Sequence, residues 1–181
     1  MANDLDLLQE KWRLWFKMLD INNDGTLSLE DWTQGAETMI REHNLNEKYA
    51  EVAMASYHRL GALLLGESMK DNKAVTVDQF VDNLTSFYKE DSEKAQKYIF
   101  NVIRQLFLVA DVNRDALISQ EEFVIMMKSF GIKSEKSRQF YEKLPRFQLN
   151  KVPMQDAINW WVDVWFGTDA ARWQTVKQMF D

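Results

Sequence analysis

Apolar residues recur at spacings of three and four along most of the chain, a pattern that predicts helices and almost no strand. Leu8, Trp12, Trp15, Phe16 and Leu19 form one apolar stripe that stops at Asp20. Trp32, Ala36, Met39 and Ile40 begin another after Asp31, with twelve mostly polar residues between the two. The arrangement returns downstream. Ile99 or Phe100, Ile103, Leu106, Phe107 and Ala110 lead into Asp111, while Phe123, Met126, Met127 and Phe130 follow Glu122. Gly131 then supplies a helix stop.

These units are copies of an internal repeat. LSLEDW at Leu27 to Trp32 matches ISQEEF at Ile118 to Phe123, and a weaker copy, VTVDQF at Val75 to Phe80, follows a helical stretch from Glu47 to Leu65. In the faintest copy Ser134 is expected to cap a helix through Leu144, Pro145 to end it, and Pro153 to open the stripe Ile158, Trp161, Val162 and Trp165. The expected fold is therefore all-α: four helix-loop-helix units in two packed lobes, with short β-bridges between paired loops. The polar run Lys89 to Lys94 divides residues 1–90 from 91–181, and it is too short to let the halves swing freely.

The two strong loops carry the chemistry. A calcium-sized cation takes six to eight hard oxygen ligands, which a loop supplies by alternating carboxylates and amides along the chain. In DINNDGTLSLED, counting Asp20 as position one, Asp20, Asn22 and Asp24 fall at positions one, three and five. Thr26 offers its carbonyl at seven, Ser28 sits at nine as a ligand through water, and Asp31 closes the loop at twelve. Gly25 at six allows the sharp turn. DVNRDALISQEE repeats the scheme with Asp111, Asn113, Asp115, the Leu117 carbonyl, Ser119 and Glu122. Asp/Asn-rich turns that merely cap helices need neither an apolar residue at position eight (Leu27, Ile118) nor a carboxylate at twelve. Three ligand carboxylates gathered in each loop repel one another unless a cation is present.

The two loops are not equivalent. Asp31 is one methylene shorter than Glu, so bidentate closure is harder and Mg²⁺ gains relative to Ca²⁺. Ala116 stands where the turn wants Gly, at a cost on the order of 1 kcal/mol. The other two loops lack a ligand set. Aligned on Val75, the loop near 68–79 places Ser68, Lys70 and Asn72 at the first ligand positions, Lys73 at the turn and Gln79 at the close. Aligned on Val152, the loop near 145–156 offers Pro145, Phe147 and Leu149, with Asp156 alone at position twelve. Val75 and Val152 remain able to pair with Leu27 and Ile118, so each ligand-poor loop buttresses a ligand-rich one.

Composition narrows the function. The net charge of −6 and scattered basic residues disfavour nucleic acid and anionic membrane. With no Cys there is no disulfide or thiolate chemistry, which suits the cytoplasm. No stretch is apolar enough to span a bilayer, and no P-loop, G-x-S-x-G or H-E-x-x-H suggests an enzyme.

The two loops resemble the EF-hand loop, each with a single departure. Four units with loops one and three intact, many Trp and Phe, and an aspartate closing the first loop resemble the invertebrate sarcoplasmic calcium-binding proteins and the calexcitins. The resemblance implies a compact two-lobed body acting as a cytosolic Ca²⁺/Mg²⁺ buffer; the two loops themselves give two Ca²⁺ sites, with Mg²⁺ competing especially at the first, and the chain is expected to be a monomer. Photoproteins and luciferin-binding proteins are similar in layout, and WFKMLDINNDG suits them too. Photoproteins, however, use a third intact loop near the C-terminus and His-Trp-Tyr constellations, whereas the only histidines here are His43 and His58. The alternatives to a buffer are a sensor that exposes an apolar groove to a protein target, its nine Met serving that surface, and a calcium-regulated carrier of a small apolar ligand.

Overall fold

The computed structural model describes residues 2–66, 71, 73–144 and 151–177. The first half runs α1 (Ala2–Leu19), β1 (Thr26–Leu27), α2 (Leu29–Glu42), α3 (Glu47–Leu65), β2 (Val75–Thr76) and α4 (Val77–Glu90). The second repeats the order with α5 (Ser92–Ala110), β3 (Leu117–Ile118), α6 (Gln120–Ser129), α7 (Ser134–Tyr141), β4 (Val152–Pro153) and α8 (Met154–Phe166), and adds α9 (Ala170–Lys177). The all-α expectation holds. Ser134, however, is the first residue of α7 and not its cap: Lys133 holds the N-cap without a side-chain bond, and the helix ends at Tyr141.

Each loop pair is joined by a two-residue antiparallel bridge, Leu27 opposite Val75 and Ile118 opposite Val152. All four of these side chains are fully buried, so the apolar residue at position eight fastens each loop to the core. The residue after the buried position-eight residue starts a helix by the same device in three units. Ser28, Thr76 and Ser119 form capping boxes with Asp31, Gln79 and Glu122, which satisfy backbone donors at the helix start. The closing residue of the loop thus has a structural role independent of any ion.

One apolar core runs through both halves. Helix α1 packs on α4 and α8, α3 on α5, and α2 on α6. Trp15 stacks on Trp165 with ring centroids 5.5 Å apart, and Phe80 and Phe166 meet Trp15 edge-on. Trp12 donates its indole N–H to the Trp165 carbonyl at 3.1 Å, so the buried indole keeps a partner. The polar run Lys89 to Lys94 is helical except at Asp91, whose carboxylate caps the Lys94 N–H at 2.9 Å. Among the described residues no helix is long and apolar enough to cross a membrane.

Candidate metal centres

Both strong loops adopt the same compact course. In the first, Asn23 and Gly25 have φ of 58° and 82°; in the second, Arg114 and Ala116 have φ of 58° and 59°. Ala116 therefore occupies the left-handed region expected for its position, where a Cβ is disfavoured. Position four shares that conformation in both loops, a feature the sequence reading passed over.

The first ligand position anchors each turn. Asp20 accepts the N–H groups of Asp24 (3.1 Å) and Gly25 (3.0 Å), and Asp111 accepts those of Asp115 (3.2 Å) and Ala116 (3.0 Å). Asn22 and Asn113 each accept the N–H two residues on, at 2.9 Å. Asp24 Oδ1 accepts from the Thr26 N–H and hydroxyl, which holds its carboxyl below the usual range. Asp115 Oδ1 accepts the Leu117 N–H at 2.9 Å. Ser28 and Ser119, expected as ligands through water, have hydroxyls engaged with Asp31 Oδ2 (3.1 Å) and Glu122 Oε2 (2.6 Å) as part of the capping boxes.

The closing residues differ as their lengths dictate. Glu122 Oε1 reaches across the loop to the Val112 N–H at 3.2 Å while Oε2 takes the Ser119 N–H at 2.8 Å. Asp31 Oδ2 takes the Ser28 N–H at 2.9 Å, and Oδ1 is buried without a hydrogen-bond partner. A buried, unpartnered carboxylate oxygen is costly, and a cation in the loop would relieve it.

The expected gathering of three carboxylates is looser than the spacing suggested. Among the described residues no three His, Cys, Asp or Glu side chains converge closely enough to hold a metal by themselves. The reason is visible in the hydrogen bonds: the loop carboxylates turn toward backbone N–H groups of their own turns. The donor set nevertheless fits a hard cation, since it is all oxygen and includes Asn side chains and the Thr26 and Leu117 carbonyls.

The weak loops are seen in part. Ser68, Lys70, Asn72, Pro145, Phe147 and Leu149 lie outside the described residues, while Lys73 pairs with Asp71 at 2.8 Å. Gln79 keeps the capping role of position twelve without a charge, accepting the Thr76 N–H at 3.0 Å. Sequence reasoning missed Lys151. Its Nζ lies 2.5 Å from Asp115 Oδ2, an ion pair that lowers the pKa of Asp115 and raises that of Lys151.

The EF-hand family model matches residues 13–35. The sarcoplasmic calcium-binding protein of Mizuhopecten yessoensis is 26% identical over 97% of this chain and 99% of its own length. That of Perinereis vancaurica tetradentata is 23% identical over 70% of this chain and 71% of its own. Among solved structures, the calcium-loaded apo form of coelenterazine-binding protein from Renilla muelleri superposes with a TM-score of 0.72 at 16% identity, covering 93% of each chain. Fold and paired loops define an EF-hand protein. In sequence the chain is similar to sarcoplasmic calcium-binding proteins. Those relatives are named for binding calcium.

Proposed function

We propose that the chain is a cytoplasmic calcium buffer with two Ca²⁺/Mg²⁺ sites, residues 20–31 and 111–122. Asp20, Asn22, Asp24, the Thr26 carbonyl and Asp31 would hold one ion, with Ser28 acting through water. Asp111, Asn113, Asp115, the Leu117 carbonyl and Glu122 would hold the other, with Ser119 in the corresponding place. Each ion would supply the positive charge that these carboxylates lack. The observation that carries the reading is the shared course of the two loops, with left-handed backbone at positions four and six, a buried apolar residue at eight and a carboxylate at twelve. The unpartnered Asp31 Oδ1 supports it.

A buffer is favoured over a sensor because the apolar helix faces are already covered by one another. Met39, Met126 and Met127 are fully buried, and Trp15, Trp165 and Phe166 fill the space between α1 and α8. The same filling leaves little room there for a carried ligand. The relatives' names suit a cytoplasmic setting. Titrating metal-free protein with Mg²⁺ and then Ca²⁺, while following an apolar-surface dye and Trp fluorescence, tests the reading. Two ions bound with little dye response are expected. Calcium-specific dye binding would sink the buffer role, and a stoichiometry other than two would sink the loop assignment.

A further inference from the structure

The bridge between β3 and β4 places Val152 opposite Ile118, so the residue before Val152 lies over the preceding turn of the 111–122 loop. That residue is Lys151. Its ammonium sits 2.5 Å from Asp115 Oδ2, with both side chains only partly exposed, at 25% and 36%. Asp115 Oδ1 is already engaged by the Leu117 N–H, so Oδ2 is the oxygen that position five has left to offer. Asp111 and Glu122 add their negative charge around the same ammonium.

The first half contains an internal control. Val75 is opposite Leu27 in the same register, which makes Ala74 the counterpart of Lys151. Ala74 brings no charge to the 20–31 loop, and the nearby Lys73 pairs with Asp71 instead. Asp24 Oδ2, the equivalent of Asp115 Oδ2, is met only by the neutral amide of Asn22 at 3.0 Å. Among the described residues, two loops of nearly the same backbone course therefore differ by one ammonium supplied from a ligand-poor neighbour.

Resting on the two-site reading above, we propose that Lys151 is an affinity-setting residue, a tethered cation that competes with the divalent ion for Asp115 in the 111–122 loop. Because it is attached to the paired strand, its effective concentration at the loop is fixed by the fold and does not depend on the medium. An incoming ion must displace the ammonium from Oδ2 and then tolerate it nearby, and like charges a few ångströms apart repel. Without an ion, the same ammonium offsets repulsion among Asp111, Asp115 and Glu122 and so helps hold the loop in its folded course. Among the described residues the 20–31 loop has no such competitor, and it fills at lower ion concentration.

The test is calorimetric Ca²⁺ titration of the full chain as wild type, Lys151→Met and Ala74→Lys, with site assignment by repeating each in an Asp20→Asn background, together with thermal melting in chelator. Lys151→Met is expected to tighten the 111–122 site about fivefold, to leave the 20–31 site unchanged, and to lower the melting temperature in chelator but not in calcium. Ala74→Lys is expected to weaken the 20–31 site by a similar factor. Two-ion binding with the 111–122 affinity unchanged or weakened in Lys151→Met would overturn this proposal alone. A wild-type chain that binds no ion at these loops would overturn it together with the reading on which it rests.

Discussion

Glu122 Oε1 accepts the Val112 N–H at 3.2 Å, spanning the loop from its twelfth position to its second, whereas Asp31 places one oxygen on Ser28 and leaves the other buried and unpaired. One methylene accounts for the difference. Asp31→Glu should therefore let both oxygens of the closing residue work in the 20–31 loop. Calcium affinity there is expected to rise on the order of tenfold, the equivalent of roughly 1.4 kcal/mol, with Mg²⁺ gaining much less because its octahedral shell does not need the extra oxygen. Competitive calorimetry with the two ions checks this, and equal gains for both would contradict it.

The turn position gives a reciprocal pair. Ala116 is held at φ 59° and Gly25 at φ 82°, and a Cβ built on Gly25 meets nothing within 4 Å. Space is thus not the issue in the first loop; backbone conformation is. Gly25→Ala should cost about 1–2 kcal/mol in the left-handed region. Ala116→Gly recovers that strain but loses about 0.4–1 kcal/mol because glycine frees the unfolded chain, so a smaller net gain is expected. Urea melts in chelator measure both, and a destabilised Ala116→Gly variant would refute the strain assignment.

How much of this was legible in the sequence depends on the range of the interaction. Local rules placed α3 at Glu47–Leu65 and paired Leu27 with Val75, because apolar spacing and the position-eight residue are read within one repeat. They also placed Ala116 in a strained turn. Ser134 was misassigned because a Ser ahead of a polar helix looks like a cap, yet the chain enters α7 one residue earlier. The Lys151–Asp115 pair joins residues 36 apart and becomes visible only once the strand register is known. The short reach of Asp31 at position twelve is readable from its residue type, but the burial of its Oδ1 without a partner is a tertiary fact.

The seam between α2 and α6 joins the helices that leave the two strong loops. Gly35 lies there against the Ser129 carbonyl, and a Cβ on it would come within 2.7 Å of that backbone oxygen and 3.0 Å of the Tyr57 ring. Tyr57 and Ser129 are themselves hydrogen-bonded, and Tyr57 stacks on Phe130 at 5.3 Å. Nothing in that group is the free end of a flexible chain. Gly35→Ala should therefore destabilise the protein by about 1–3 kcal/mol through overpacking. A chain of this size then melts about 2–4 °C lower for each kcal/mol lost, and an unchanged melting temperature would show that the seam can open without cost.

Lys11 supplies the pH dependence. It is 1% exposed on α1, donates to the Gly167 carbonyl at 2.7 Å and stands 5.6 Å above the Trp173 ring. Burial pushes its ammonium down to about 8, with Asp169 opposing the shift and Arg172 adding to it. Glu10 on the same helix is committed elsewhere, to Lys177 and the Trp173 indole. The folded protein thus releases the Lys11 proton near pH 8, while the unfolded chain holds it until about 10.4. Between those values the unfolded state binds more protons, so stability rises with pH. Below about pH 8 both states are protonated and the cost of burying the charge is constant. The difference in unfolding free energy between wild type and Lys11→Met, measured by urea melts in chelator from pH 7 to 10, should therefore shift in favour of wild type by roughly 2 kcal/mol. Lys97 and Lys151, whose pKa values are raised by Glu93 and Asp115, lose their contributions only above this window. A difference that stays flat across it would mean that Lys11 remains charged in the core, sustained by Asp169 and the Gly167 carbonyl.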